Sequence, residues 1–149
     1  MSTRSTIAVK TDQGQILAVY CHWDGYPTHN GVILNENYNT TDKVAKLIGG
    51  GDISSLADDG KSGKLGKPVY YADRGEDWKA VEPVFFDDAQ QWTDYYSESW
   101  CEYYYLWNGK EWLVSKGNQA EGECPVFDFA DVAIQKYIDA EKQVEEDFL

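Results

Sequence analysis

The stretch STIAVKTDQGQILAVYCH, residues 5–22, decides the fold. Two runs of β-branched and apolar residues flank TDQG, whose aspartate and glycine suit a chain reversal. The stretch therefore predicts an antiparallel hairpin of residues 5–10 with 15–22. In the second run Ile16, Ala18 and Tyr20 fall on one face and Leu17, Val19 and Cys21 on the other. A strand apolar on both faces belongs at the centre of a sheet or under cover on both sides. The run leads into YCHWDGYP, residues 20–27, where Asp24-Gly25 can supply a left-handed turn and Pro27 holds Tyr26 extended.

Working outward, THNGVILNENY (28–38) fits a short helix that Gly31 weakens. TTDKVAKLIGGG (40–51) reads more firmly as one. Thr40 or Thr41 caps it, Val44, Leu47 and Ile48 make an apolar stripe, and the three glycines stop it. GDISSLADDGKSGKLGK (51–67) predicts a loop with one helical turn over 53–56, and its Lys61, Lys64 and Lys67 sit in no phosphate-loop pattern. Residues 68–86 predict one or two strands with RGED turning between them, whereas DDAQQWTDYYSESW (87–100) has no clear local reading. CEYYYLWNGKEWLV (101–114) predicts a second hairpin about a two-residue Asn108-Gly109 turn, with Trp107 opposite Lys110 and Tyr105 opposite Trp112. Finally, residues 128–149 predict a C-terminal helix with Ala133, Tyr137, Val144 and Phe148 on one stripe. Interleaved hairpins and helices predict an α+β fold: a largely antiparallel sheet with two or three packed helices, the C-terminal one included, in a single domain over 1–149.

The chain of 149 residues is long enough to enclose an apolar core. Its charge is unevenly laid out. Residues 1–72 carry seven basic and seven acidic side chains, but residues 73–102 and 121–149 each carry nine acids against two bases, and the net charge is -13. Such a field repels phosphate backbones and attracts basic surfaces, so the expected partner is a basic face of a protein rather than nucleic acid. Cys21, Cys101 and Cys124 form no CxxC pair, and their odd number fits a reducing compartment. No run approaches the roughly 18 apolar residues that span a bilayer, and MSTRSTIAVK does not read as a signal peptide. A cytoplasmic, membrane-independent protein is expected.

For chemistry, the concentration of His22, Asp24 and His29 around the corner draws attention. A histidine near an aspartate can serve as a general base, and Arg4 can grip an anion, so Arg4, His22 and Asp24 are the weak catalytic candidates. The same residues also fit a structural corner in which Asp24 accepts turn amides and Arg4 pairs with an acid. Spacing identifies no third or fourth metal ligand, and no nucleotide, zinc or nucleophile-elbow motif is present, so neither metal nor cofactor is expected. Cys21 lies next to His22 but on the opposite strand face, which disfavours a Cys-His pair.

The segments TRSTIAVK (3–10), VYCHWDGYPTHNG (19–31), NTTDKVAKLI (39–48) and GDISSL (51–56) together resemble a family of small uncharacterised proteins of tailed, T4-like bacteriophages. More distant members of that family open on GTRS and carry Q(W/F)DGYP at the corner, with glutamine where this chain has His22. The resemblance implies a phage origin and points to Arg4, Asp24, Gly25, Tyr26 and Pro27 as the shared site or scaffold. Two functional expectations follow. The first is an acidic accessory protein that binds and modulates a host protein in the host cytoplasm, inhibiting a defence or nucleic-acid-handling enzyme, with contact aromatics drawn from Trp92, Tyr95, Tyr96 and Trp100. The second is a small-molecule-binding or hydrolase-like protein with a site around Arg4, Asp24 and Tyr26, His29 standing nearby.

Overall fold

The computed structural model describes residues 3–56 and 67–117, and the helix expected over 128–149 and the lysines at 61 and 64 lie outside them. The opening hairpin forms as its pattern predicts: β1 (Ser5–Lys10) pairs antiparallel with β2 (Ile16–Cys21), Ala8 facing Ala18. From Pro27 the chain makes a π-helical turn to Gly31 and continues directly into α1 (Val32–Asn37). Gly31 does not interrupt the run, because its backbone is already right-handed helical at φ -61°. Then α2 (Thr41–Gly49) starts on Thr40, whose hydroxyl accepts from the Lys43 amide at 3.3 Å. Its stripe of Val44, Leu47 and Ile48 is buried.

The segment after α2 differs from expectation. Residues 53–55 form not a helical turn but strand β3 (Ile53–Ser55), because Ile53 pairs with Cys21 and the His22 and Trp23 amides donate to the Ile53 and Ser54 carbonyls, each at 3.0 Å. A waiting strand edge outweighs weak local preference. Next come the short β4 (Val69–Tyr70), a helical turn α3 (Trp78–Val81) and β5 (Val84–Phe86), which pairs with the first half of β2. The unassigned stretch 87–100 is a helix, α4 (Ala89–Ser97), capped by Asp88, whose carboxylate accepts from the Gln91 amide at 2.9 Å.

The last hairpin, β6 (Tyr103–Trp107) with β7 (Trp112–Lys116), forms, but Trp107 faces Trp112 and Tyr105 faces Val114. Asn108 is the reason for the two-residue shift. Its side-chain oxygen accepts from both the Lys110 and Glu111 amides at 2.9 Å, closing a four-residue connection in which Gly109 takes φ 98°. A shift of two preserves each side chain's face.

The described elements make an α+β fold on one mixed sheet, in the order β4-β3-β2-β1-β6-β7 with β5 also beside β2. β1 runs parallel to β6, and β2 to β3 at a single pair, while the other pairings are antiparallel. Both faces are covered. Ile7, Val19, Tyr105 and Trp112 pack with Leu34 of α1 and Val44, Leu47 and Ile48 of α2. On the other face Ala8, Ala18, Tyr104 and Leu106 pack with Phe86 and with Trp92 and Tyr96 of α4. Indole N–H groups tie these layers: Trp112 Nε1 donates to the Tyr38 carbonyl at 2.7 Å, and Trp92 Nε1 to Thr6 Oγ1 at 3.0 Å. No described helix is long and apolar enough to cross a membrane.

Candidate functional site

The HWDGYP corner is closed upon itself. Asp24 takes the left-handed conformation, φ 58°, and the Gly25 amide donates to the Thr3 carbonyl at 2.8 Å. A Cβ on Gly25 would stand 2.8 Å from both that carbonyl oxygen and Ser5 Cβ, so only glycine fits. Buried Tyr105 donates its hydroxyl to the Gly25 carbonyl at 2.6 Å. Asn30, also fully buried, donates from Nδ2 to the Trp23 carbonyl at 3.2 Å and to Cys21 Sγ at 3.4 Å, and its Oδ1 lies 2.8 Å from His29 Nδ1. Partial burial, together with the charge of and a hydrogen bond to Asp24, raises the Tyr26 phenol above its ordinary pKa. Burial pushes the Cys21 thiol up to about 12, so it is a thiol rather than a nucleophilic thiolate at neutral pH.

Strand parity separates this corner from Arg4. Ser5 and Ile7 point to the α1/α2 side, where the corner packs, whereas Arg4, Thr6 and Ala8 point to the α4 side. The expected grouping of Arg4 with Asp24 and Tyr26 is therefore not what the fold builds. Arg4 does not pair with Asp24 either: its Nη1 donates to the Ser99 carbonyl at 3.2 Å, and its remaining N–H groups have no acceptor among the described residues. Arg4 instead lines a cleft of about 460 Å³ with Tyr20, Asp52, Val84, Tyr95, Tyr96 and Trp100, rimmed by Lys79, Glu82 and Glu98.

The cleft exists because the sheet forks. β2 pairs with β5 through Ile16–Ala18 and with β3 only at Cys21, so the two neighbours diverge between these points. The Tyr20 amide falls in the gap and has no strand partner. Asp52 supplies the acceptor: its Oδ1 takes the Tyr20 N–H at 2.9 Å. Burial raises the Asp52 carboxyl from 3.8 to about 6, the Tyr20 hydrogen bond offsetting this only in part. Opposite charges thus face one cleft without neutralising each other.

His22 reaches the site through Tyr20. Its Nδ1 lies 2.8 Å from the Tyr20 hydroxyl, and burial and the nearby Arg4 charge hold its pKa below 6.5, so its ring is neutral at pH 7. Burial likewise raises the Tyr20 phenol, which stays protonated and orients against the imidazole. Of the expected catalytic residues, Arg4 lines the cleft, His22 hydrogen-bonds to the Tyr20 ring that lines it, and Asp24 is not among the lining residues. Among the described residues no group of three or more His, Cys, Asp or Glu is placed to hold a metal ion.

The expected contact aromatics split in two. Trp92 and Tyr96, one helical turn apart on α4, are buried against the sheet; Tyr95 is 51% and Trp100 61% exposed at the cleft mouth. Trp100 has φ 64°, the left-handed conformation that ends a helix, with the Cys101 amide donating to the Tyr96 carbonyl at 3.2 Å. Glycine is the ordinary occupant of such a position. A bulky residue there is strained, and its ring gains little from burial.

Sequence reading missed Asp52 and Tyr20 as site residues. Asp52 carried no motif, and the stretch that holds it read as a loop. The Asp88 to Gln91 spacing of a helix cap was the available signal for α4. Comparison of the chain with protein-family models, curated proteins and solved structures finds no match.

Proposed function

We propose that this chain is an acidic accessory protein of the phage type its sequence resembles, and that it docks on a basic face of a host protein through the surface built by residues 73–102. The observation that carries this reading is the exposure of large rings in that acidic segment. Trp100 is 61% exposed and Tyr95 51%, both at the cleft, and Trp78 is exposed in the same segment. The same segment carries Glu76, Asp77, Glu82, Asp87, Asp88, Asp94 and Glu98, all exposed, with Glu82 and Glu98 on the cleft rim. Desolvated rings supply short-range affinity, and the acids raise the encounter rate with a basic partner. Lysines and arginines of the partner would meet the carboxylates, with Trp100 as the central anchor. Blocking that partner's own use of its basic face is the inhibitory effect this arrangement supports.

The test is affinity capture of a specific host protein from lysate at two salt concentrations, followed by titration of the purified pair. Tenfold or greater weakening by Trp100→Ala, with affinity falling as salt rises, is the expected result. A partner held equally well at both salt concentrations by a charge-neutralised 73–102 segment would reject this reading.

A further inference from the structure

The forked sheet leaves a guanidinium and a carboxylate facing one small space with neither satisfied by the other. Arg4 spends one N–H on the Ser99 carbonyl, and Asp52 takes one backbone N–H from Tyr20. Both groups are partly buried. Removing unlike charges from water without pairing them is costly, and a molecule with the complementary pair of charges recovers that cost twice. A planar guanidinium, with one N–H spent among the described residues, suits a bidentate carboxylate, and a partly desolvated aspartate suits an ammonium. Between them the walls are aromatic: Tyr20, Tyr95, Tyr96 and Trp100. The cleft volume, about 460 Å³, lies in the range of roughly 300–1,000 Å³ typical of small-ligand sites. The rim charges Lys79, Glu82 and Glu98 are exposed and screened by solvent, so the two inner charges set the preference.

We propose that the cleft at the sheet fork binds a small zwitterion of the α-amino acid class with an aromatic or large apolar side chain. Its carboxylate sits on Arg4, its ammonium on Asp52, and its side chain lies against Tyr95 and the Trp100 ring. His22 is a positioning residue, fixing the Tyr20 hydroxyl that forms part of the wall. This site is independent of the docking reading above, since a free amino acid presents no basic surface. Trp100 serves both, because its exposed ring flanks the cleft.

Calorimetric titration of the full chain at neutral pH with tryptophan, phenylalanine and leucine, each also as its N-acetyl and its carboxamide derivative, tests the proposal. The free amino acids should bind, and each derivative, lacking one charge, should bind at least tenfold more weakly. Arg4→Gln should abolish the preference for the acid over the amide. Asp52→Asn should abolish the preference for the free amine over the N-acetyl form. The derivative series on the parent chain decides the question even where a variant folds poorly. Inorganic phosphate or spermidine binding more tightly than any amino acid, an N-acetyl form binding as well as its parent, or no binding at millimolar concentration would each overturn it.

Discussion

Two regions of this protein gather polar and aromatic side chains: the HWDGYP corner and the sheet fork. The corner looks reactive in sequence, yet its groups answer one another. Asn30, Tyr105 and the Thr3 carbonyl take up the backbone groups of Trp23 and Gly25, and His29 is matched by Asn30. The fork looks ordinary in sequence, yet among the described residues it leaves Arg4 and Asp52 partly unspent around a cleft. The contrast teaches that residual, unsatisfied polarity marks a site better than density of chemically versatile residues.

Breaking the corner should cost stability and little else. Gly25→Ala has the largest expected effect, because the new Cβ would meet backbone oxygen and Ser5 at 2.8 Å. A loss of about 3 kcal/mol in denaturant unfolding is expected. Tyr105→Phe strips the hydroxyl from the buried Gly25 carbonyl at 2.6 Å. It should cost about 1.5 kcal/mol, with the cleft's binding unchanged.

Changes at the fork should do the reverse. The Asp52 carboxyl titrates near 6 in the fold against 3.8 ordinarily, so the folded state holds its proton more tightly. The resulting stabilisation is full below pH 3.8 and is lost as pH rises through about 6. Asp52→Asn keeps an acceptor for the Tyr20 amide and removes the charge. The full shift corresponds to about 3 kcal/mol at most, and partial solvent exposure reduces this to about 1 kcal/mol. The variant should therefore be more stable than its parent by that margin at pH 7.5 and equal to it near pH 4, as read from parallel denaturant curves. Equal stabilities at both pH values would mean that Asp52 is better solvated than its place in the fork implies.

The smallest stability change is expected for Trp100→Gly. Relief of the left-handed strain is worth about 1 kcal/mol, and the greater freedom of glycine in the unfolded chain returns part of it. Stability should stay within about 0.5 kcal/mol of the parent. Binding at the cleft and at the acidic rim should nevertheless fall sharply, which sets the ring's functional role apart from any structural one.

Much of the fold was legible because its signals are local. The alternation in Ser5–Cys21 announced a strand covered on both faces, and Thr40 with Val44, Leu47 and Ile48 announced α2. The 101–114 hairpin was visible too, and even its register error left each ring on the correct face because a slip of two preserves the pleat. At the candidate site, Arg4, Tyr95 and Trp100 stood out as residue types, but Asp52 did not, since nothing near it in sequence reveals an unpaired amide at Tyr20. Trp92 and Tyr96 were indistinguishable from Tyr95 and Trp100 until α4 was placed on the sheet.

By itself, then, the sequence determined the hairpins, the capped helix, the two-faced apolar pattern and the distribution of charge. These depend on neighbours two to four residues apart, within reach of pleat, helical turn and cap. Tertiary structure alone decided the parallel pairing of β1 with β6, the turning of 53–55 into a strand, and the divergence of β3 from β5 that opens the cleft. Those outcomes are chosen by the total burial and hydrogen bonding of distant segments, a sum that no local stretch of chain contains.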